Sequence, residues 1–83
     1  MAKVILAKSA EKSFLKLRSS DKLKISRAID SLEENPLIGK KLHGKFEGLL
    51  SVRAWPYRLI YRFFPKQKLV EVVIIEHRQG AYK

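Results

Sequence analysis

Apolar residues recur at helical spacing in the first half of the chain and alternate in the second, so the change of period separates two kinds of element. Val4, Ile5 and Leu6 form a short apolar strand. It leads into Ser9, read as the N-cap of a helix over residues 10–18, with Ala7, Ala10, Phe14 and Leu17 spaced by threes and fours along one face. Ser19, Ser20 and Asp21 interrupt the pattern and offer a fresh cap. A second helix follows over residues 22–34, its stripe made of Ile25, Ala28, Ile29 and Leu32, with Lys24, Arg27, Asp30, Glu33 and Glu34 mostly outside it. Asn35 and Pro36 end it, because proline disfavours helical geometry in the residue before it.

Gly39, Gly44 and Gly48 punctuate a loop over residues 36–48, after which the period becomes two. Residues 49–53 and 57–64 read as strands joined by a tight turn at Ala54, Trp55 and Pro56, proline being placed in the turn because it lacks a ladder donor. On the second strand Arg58, Ile60 and Arg62 face one way, and Leu59, Tyr61 and Phe63 the other. A turn at Pro65, Lys66, Gln67 and Lys68 leads to residues 69–76, apolar enough on both faces to be the central strand. Two helices with a short polar connection make an antiparallel hairpin whose apolar stripes need a further surface, and the sheet supplies it. The expected fold class is therefore α+β: an N-terminal strand, an antiparallel helical hairpin, then a three-stranded antiparallel meander, forming one sheet packed on the helices.

Eighty-three residues leave room for one domain, taken as residues 1–83, and a hydrophobic content of 46% supports a core and argues against disorder. With no cysteine, stability rests on packing and the chain fits a reducing cytoplasm. No signal-peptide pattern and no apolar run of membrane-spanning length is present, so a cytoplasmic place and no membrane partner are expected. Lysine and arginine total 18 against 8 acidic residues, a net charge of +10 that directs attention to nucleic acid or an acidic protein partner.

Arg53, Arg58, Arg62 and Arg78 lie in or beside the strand segments, and the chain nearly ends on Tyr82. Arginine is a permanently charged planar fork matched to phosphate oxygens, and strands hold such forks in fixed positions. A cross-strand ion pair from Arg58 to Glu71 or Glu76 is the structural alternative. A phosphate role is favoured, because the acids of this half are too few to neutralise four arginines. The default for Arg62 is a sheet-edge or solvent role. His77 is a candidate for moving a proton, Glu47 is a minor general-base candidate, and Trp55 either grips a partner or covers one end of the core. Tyr57, Tyr61, Phe63 and Phe64 alternate as packing residues do. No spacing of histidines, cysteines or paired carboxylates suits a metal, so neither metal nor cofactor is expected.

The order strand, helix, helix, meander, together with Asn35-Pro36, Lys41-Leu42-His43-Gly44, Arg53 followed by Tyr57-Arg58-Leu59-Ile60-Tyr61, and Glu76-His77-Arg78 with Tyr82 beyond, resembles the RelE/ParE superfamily of toxins from bacterial and archaeal toxin–antitoxin pairs. The resemblance covers nearly the whole chain and is strongest to the RelE branch. It implies a RelE-like fold and a metal-independent endoribonuclease that cleaves messenger RNA, often on the ribosome, and is held inactive by a cognate acidic antitoxin. The implied chemistry is attack of a ribose 2′-OH on the adjacent phosphorus, leaving a 2′,3′-cyclic phosphate and a 5′-OH.

Residue by residue, Arg58 matches the arginine on the scissile phosphate, Arg78 a second catalytic arginine, Arg53 a basic residue of the preceding strand, and Tyr82 a tyrosine that stacks on or orients the nucleotide. Some members carry another basic residue two positions before the one matching Arg53, where this chain has Ser51. Lys41 or Lys45 is the expected substitute, and with His77 and Arg62 they complete the substrate-binding set. Two other functions fit: a ParE-like inhibitor of DNA gyrase with the same fold, and a non-catalytic basic RNA-binding module.

Overall fold

The computed structural model describes residues 1–77, so the assignments made to Arg78 and Tyr82 lie outside the described residues. The elements are β1 (Lys3–Leu6), α1 (Lys8–Leu15), α2 (Ser19–Glu34), β2 (Lys40–Lys41), β3 (Leu50–Ala54), β4 (Tyr57–Phe64) and β5 (Leu69–His77). They form a five-stranded mixed sheet in the order β1-β5-β4-β3-β2. Among the described strands, β1 and β5 pair in parallel and the other pairs are antiparallel. The α+β class holds, with two differences from the expected sheet. A two-residue edge strand, β2, adds a fifth member, and the middle position belongs to β4, with β5 interior between it and β1.

Both helices begin earlier than their serines suggest. α1 starts directly out of β1: Ala7 N–H donates to Val72 C=O at 2.9 Å, and Ala7 C=O accepts from Glu11 N–H at 2.9 Å. The strand has already fixed the first helical carbonyl, so Ala7, not Ser9, is the N-cap, and no side chain caps it. In α2 the capping residue is Arg18, and Ser19, Ser20 and Asp21 make the first turn instead of breaking it. Asp21 suits that place, since a carboxylate there opposes the positive end of the helix dipole. It also accepts the Tyr57 hydroxyl at 2.9 Å, tying the start of α2 to β4. α2 ends at the expected place, with Asn35 extended (φ −143°, ψ 91°) before Pro36.

One face of the sheet is covered by the helices. α1 lies on β5 and α2 reaches β3 and β1, so the apolar stripes find their cover in the sheet. Ala10, Ile25, Ala28 and Leu32 meet Leu50, Leu59, Tyr61, Val70, Val72 and Ile75 in one buried cluster. Arg58 and Arg62 point to the other face, as the alternation requires, and Ile60 between them is fully buried outside that cluster.

Tyr61 anchors the edge of this frame. Its hydroxyl accepts the Gly39 N–H at 3.0 Å and donates to Pro36 C=O at 2.8 Å. The approach is so close that a Cβ on Gly39 would stand 2.5 Å from that hydroxyl and 2.7 Å from the Ser51 carbonyl oxygen, which is why glycine precedes β2. Burial raises the Tyr61 pKa above its ordinary 10.0. Tyr57 shifts the same way, through desolvation and then its bond to Asp21. An acid whose folded pKa is raised contributes stability that is present below the unfolded value and lost as pH rises through the folded one. Urea unfolding should therefore show stability declining above about pH 10, and Tyr61→Phe should reduce that decline. At neutral pH the same variant should lose about 1–3 kcal/mol, because two backbone groups forfeit their partner. An unchanged urea midpoint would show that the hydroxyl does not hold the segment.

Candidate functional site

The helix-free face of the sheet carries the basic residues in cross-strand rungs. Arg53 on β3 is the register partner of Arg58 on β4, and Arg58 is the partner of Glu76 on β5. One step along, Lys40 on β2 pairs with Ser51 on β3, which pairs with Ile60 on β4. Beyond a register shift in the β4–β5 ladder, Arg62 pairs with Glu71. The β3–β4 hairpin brings Arg53 and Arg58 side by side because both stand on the outward parity of their strands, and Trp55 at its turn is exposed.

Beside this rung opens a groove of about 440 Å³ whose lining includes Lys40, Ser51, Arg53 and Arg58, with Ile38 and Leu42 as apolar wall. Among the described residues, no carboxylate lines it. Arg58 is nonetheless engaged: its Nε, at 3.2 Å, and its Nη2 both donate to Glu76 Oε1. The cross-strand ion pair weighed against a phosphate role is thus present, and it holds the guanidinium at the edge of the groove. Arg62 behaves similarly, with Nε 3.5 Å from Glu71 Oε1 and its guanidinium over the Phe64 ring. Among the described residues, no carboxylate lies within ion-pair distance of Lys40 or Arg53.

The other residues singled out from the sequence are dispersed. Lys41 has the opposite parity to Lys40 and lines a second groove, of about 410 Å³, with His43 and Glu47. Lys45 lies in a single 3-10 turn, its Nζ 5.6 Å from the Phe46 ring centroid. His77 is the register partner of Tyr57 and meets its ring edge-on at 5.1 Å, on the helix-covered side of the sheet and across it from Arg58. The cation that stands opposite Ser51 is Lys40, which sequence reasoning passed over in favour of Lys41 and Lys45. A preformed groove of this charge can take up an anionic polymer, and its arginine forks can stabilise charge on a phosphorus centre.

A small α+β frame, helices on one face and a cationic groove on the other, is the class of protein these observations define. The family model described as the ParE toxin of type II toxin–antitoxin systems, parDE, matches residues 4–82. The chain belongs to this family of toxins, within the RelE/ParE superfamily. Among solved structures, it is similar to the toxin–antitoxin complex RelBE2 from Mycobacterium tuberculosis: TM-score 0.85, 26% identity, over 93% of this chain and 98% of that one. It is also similar to the archaeal RelE–RelB complex from Pyrococcus horikoshii OT3, with a TM-score of 0.79 and 25% identity over 93% of this chain and 94% of that one. The YoeB/ParE toxin from Agrobacterium tumefaciens shares the fold, with a TM-score of 0.78 and 20% identity over 90% and 96% of the two chains. No curated protein is significantly similar to the chain in sequence. Among the described residues, no helix is long and apolar enough to cross a membrane.

Proposed function

We propose that this toxin is a messenger RNA endoribonuclease that acts in the cytoplasm, on the ribosome, and is restrained by an acidic antitoxin. The observation that carries the reading is the adjacent pair Arg53 and Arg58 on a helix-free sheet face, beside a groove lined by Lys40 and, among the described residues, by no carboxylate. In the proposed reaction the 2′-OH loses its proton and attacks the neighbouring phosphorus. The bond to the 5′-oxygen breaks, that oxygen gains a proton, and a 2′,3′-cyclic phosphate remains. Arg58 and Arg78 stabilise the charge that develops on the phosphorane oxygens, and Arg53 adds charge or moves a proton. Tyr82 stacks on the nucleotide, an interaction commonly worth ~1–3 kcal/mol. The similar RelBE2 structure from Mycobacterium tuberculosis is a toxin–antitoxin complex, which supports an antitoxin partner here.

A second reading, inhibition of DNA gyrase without RNA cleavage, is favoured by the ParE family match and by the ion pair that occupies Arg58. Brief induction of the toxin without a partner separates the two. The expected result is growth arrest with new 5′ ends in messenger RNA, mapped by primer extension. Double-strand DNA breaks with intact messages would reject the nuclease.

A further inference from the structure

Charge on the sheet face is unevenly committed. Glu76 engages Arg58 and Glu71 engages Arg62, whereas Lys40 and Arg53 meet no carboxylate among the described residues. Both line the same groove, from neighbouring strands. Lys40 is directly opposite Ser51, and Arg53 is two residues further along β3, so the two cations form a diagonal pair. Such a pair stands about 7–8 Å apart at the backbone, and both side chains are long enough to open or close that span. Two cations at this separation, on rigid strands and with an apolar wall beside them, suit consecutive phosphates of one extended strand better than they suit a single compact anion.

We propose that Lys40 and Arg53 form a two-point clamp for adjacent phosphates of single-stranded RNA, Lys40 supplying from β2 the charge that Ser51 does not supply from β3. The clamp rests on the nuclease reading of this face and sets binding register, giving Arg53 a binding role beside the one proposed for it in cleavage. It holds the strand while leaving the Arg58 fork for a different phosphate. Lys40 is carried on an edge strand whose position depends on the Gly39–Tyr61 bond, so the clamp is built by the same interaction that orders that edge.

The test uses a short single-stranded RNA with 2′-O-methyl sugars throughout, titrated against the protein over a salt series. Removing one cation from a phosphate lowers the slope of log affinity against log salt by about 0.7 on a single strand. Lys40→Gln should reduce the slope by one such step and Arg53→Gln by another. Lys66→Gln, beyond the opposite end of β4, should leave it unchanged. Placing a cation on the facing strand, S51K in the K40Q background, should return the missing step. An undiminished slope in K40Q, or an equal reduction in K66Q, overturns the clamp, as does failure of the unmodified protein to bind. Cleavage of unmodified RNA by wild type together with an undiminished K40Q slope would sink the clamp and leave the nuclease standing. A reduced slope in K40Q with no cleavage of unmodified message, either free or on programmed ribosomes, would sustain the clamp and remove the nuclease.

Discussion

Arg58→Ala is expected to lower RNA cleavage by roughly 10²–10³-fold, the usual effect of removing one preorganised donor from a transition state. The expectation depends on what the Glu76 pair does. In the free protein Glu76 accepts from two guanidinium nitrogens of Arg58, and both side chains are partly exposed. A partly exposed pair of this kind contributes only about 0–1 kcal/mol to folding, so truncating Arg58 should leave the protein folded and make a rate measurement interpretable. An arginine fork has donors to spare: while Nε and Nη2 face the carboxylate, Nη1 remains for a phosphate oxygen. Glu76 then acts as a positioning residue that holds the fork at the rim. Single-turnover cleavage of an RNA oligonucleotide, with circular dichroism as the check on folding, measures the effect. A folded Arg58→Ala protein that cuts at the wild-type rate would assign the arginine to the ion pair alone. The nuclease would then draw its transition-state charge from other residues of the face.

The outward row of arginines was legible in the sequence because β4 alternates without interruption, and its bounds, Tyr57–Phe64, are those the pattern gives. For Arg58 the acceptors were narrowed to Glu71 and Glu76, and Glu76 takes it, whereas Arg62, given a sheet-edge or solvent role by default, is met by Glu71. The edge strand was not legible. Two residues carry no period, and whether Lys40 or Lys41 faces the groove depends on a register that one step would reverse. The register is set at a distance, by the Tyr61 hydroxyl on the Gly39 amide, and neither residue announces that partnership in sequence. Its one local sign is glycine immediately before the two lysines. The same limit applies to His77: its neighbours in sequence place it beside the arginines, whereas strand parity sends it to the helix side with Tyr57. At the helix starts, capping preferences gave way to tertiary anchoring. Val72 binds the Ala7 amide and Tyr57 binds Asp21, so each helix begins where the sheet fixes it.

The largest effect should come from the substrate. If the neighbouring 2′-OH is the nucleophile, a single 2′-deoxy or 2′-O-methyl sugar at the cut site removes the attacking group. Cleavage there should fall to background while binding persists, because phosphate contacts supply most of the affinity. Persistence of binding is what gives the experiment its force: in the proposed reading the groove lined by Lys40, Arg53 and Arg58 holds the strand's phosphates, which the substitution leaves in place. Loss of binding together with cleavage would mean that the hydroxyl is recognised and not consumed. The comparison should use a ribosome-free oligonucleotide, or ribosomes programmed with the modified message where cleavage requires them, with the 2′,3′-cyclic phosphate of the unmodified control identified by a 3′ end that resists labelling until it is opened by acid and then dephosphorylated. If the modified sugar is cut at the normal rate, water or a protein group must be attacking. Arg53 and Arg58 would then be binding residues on a face whose chemistry lies elsewhere.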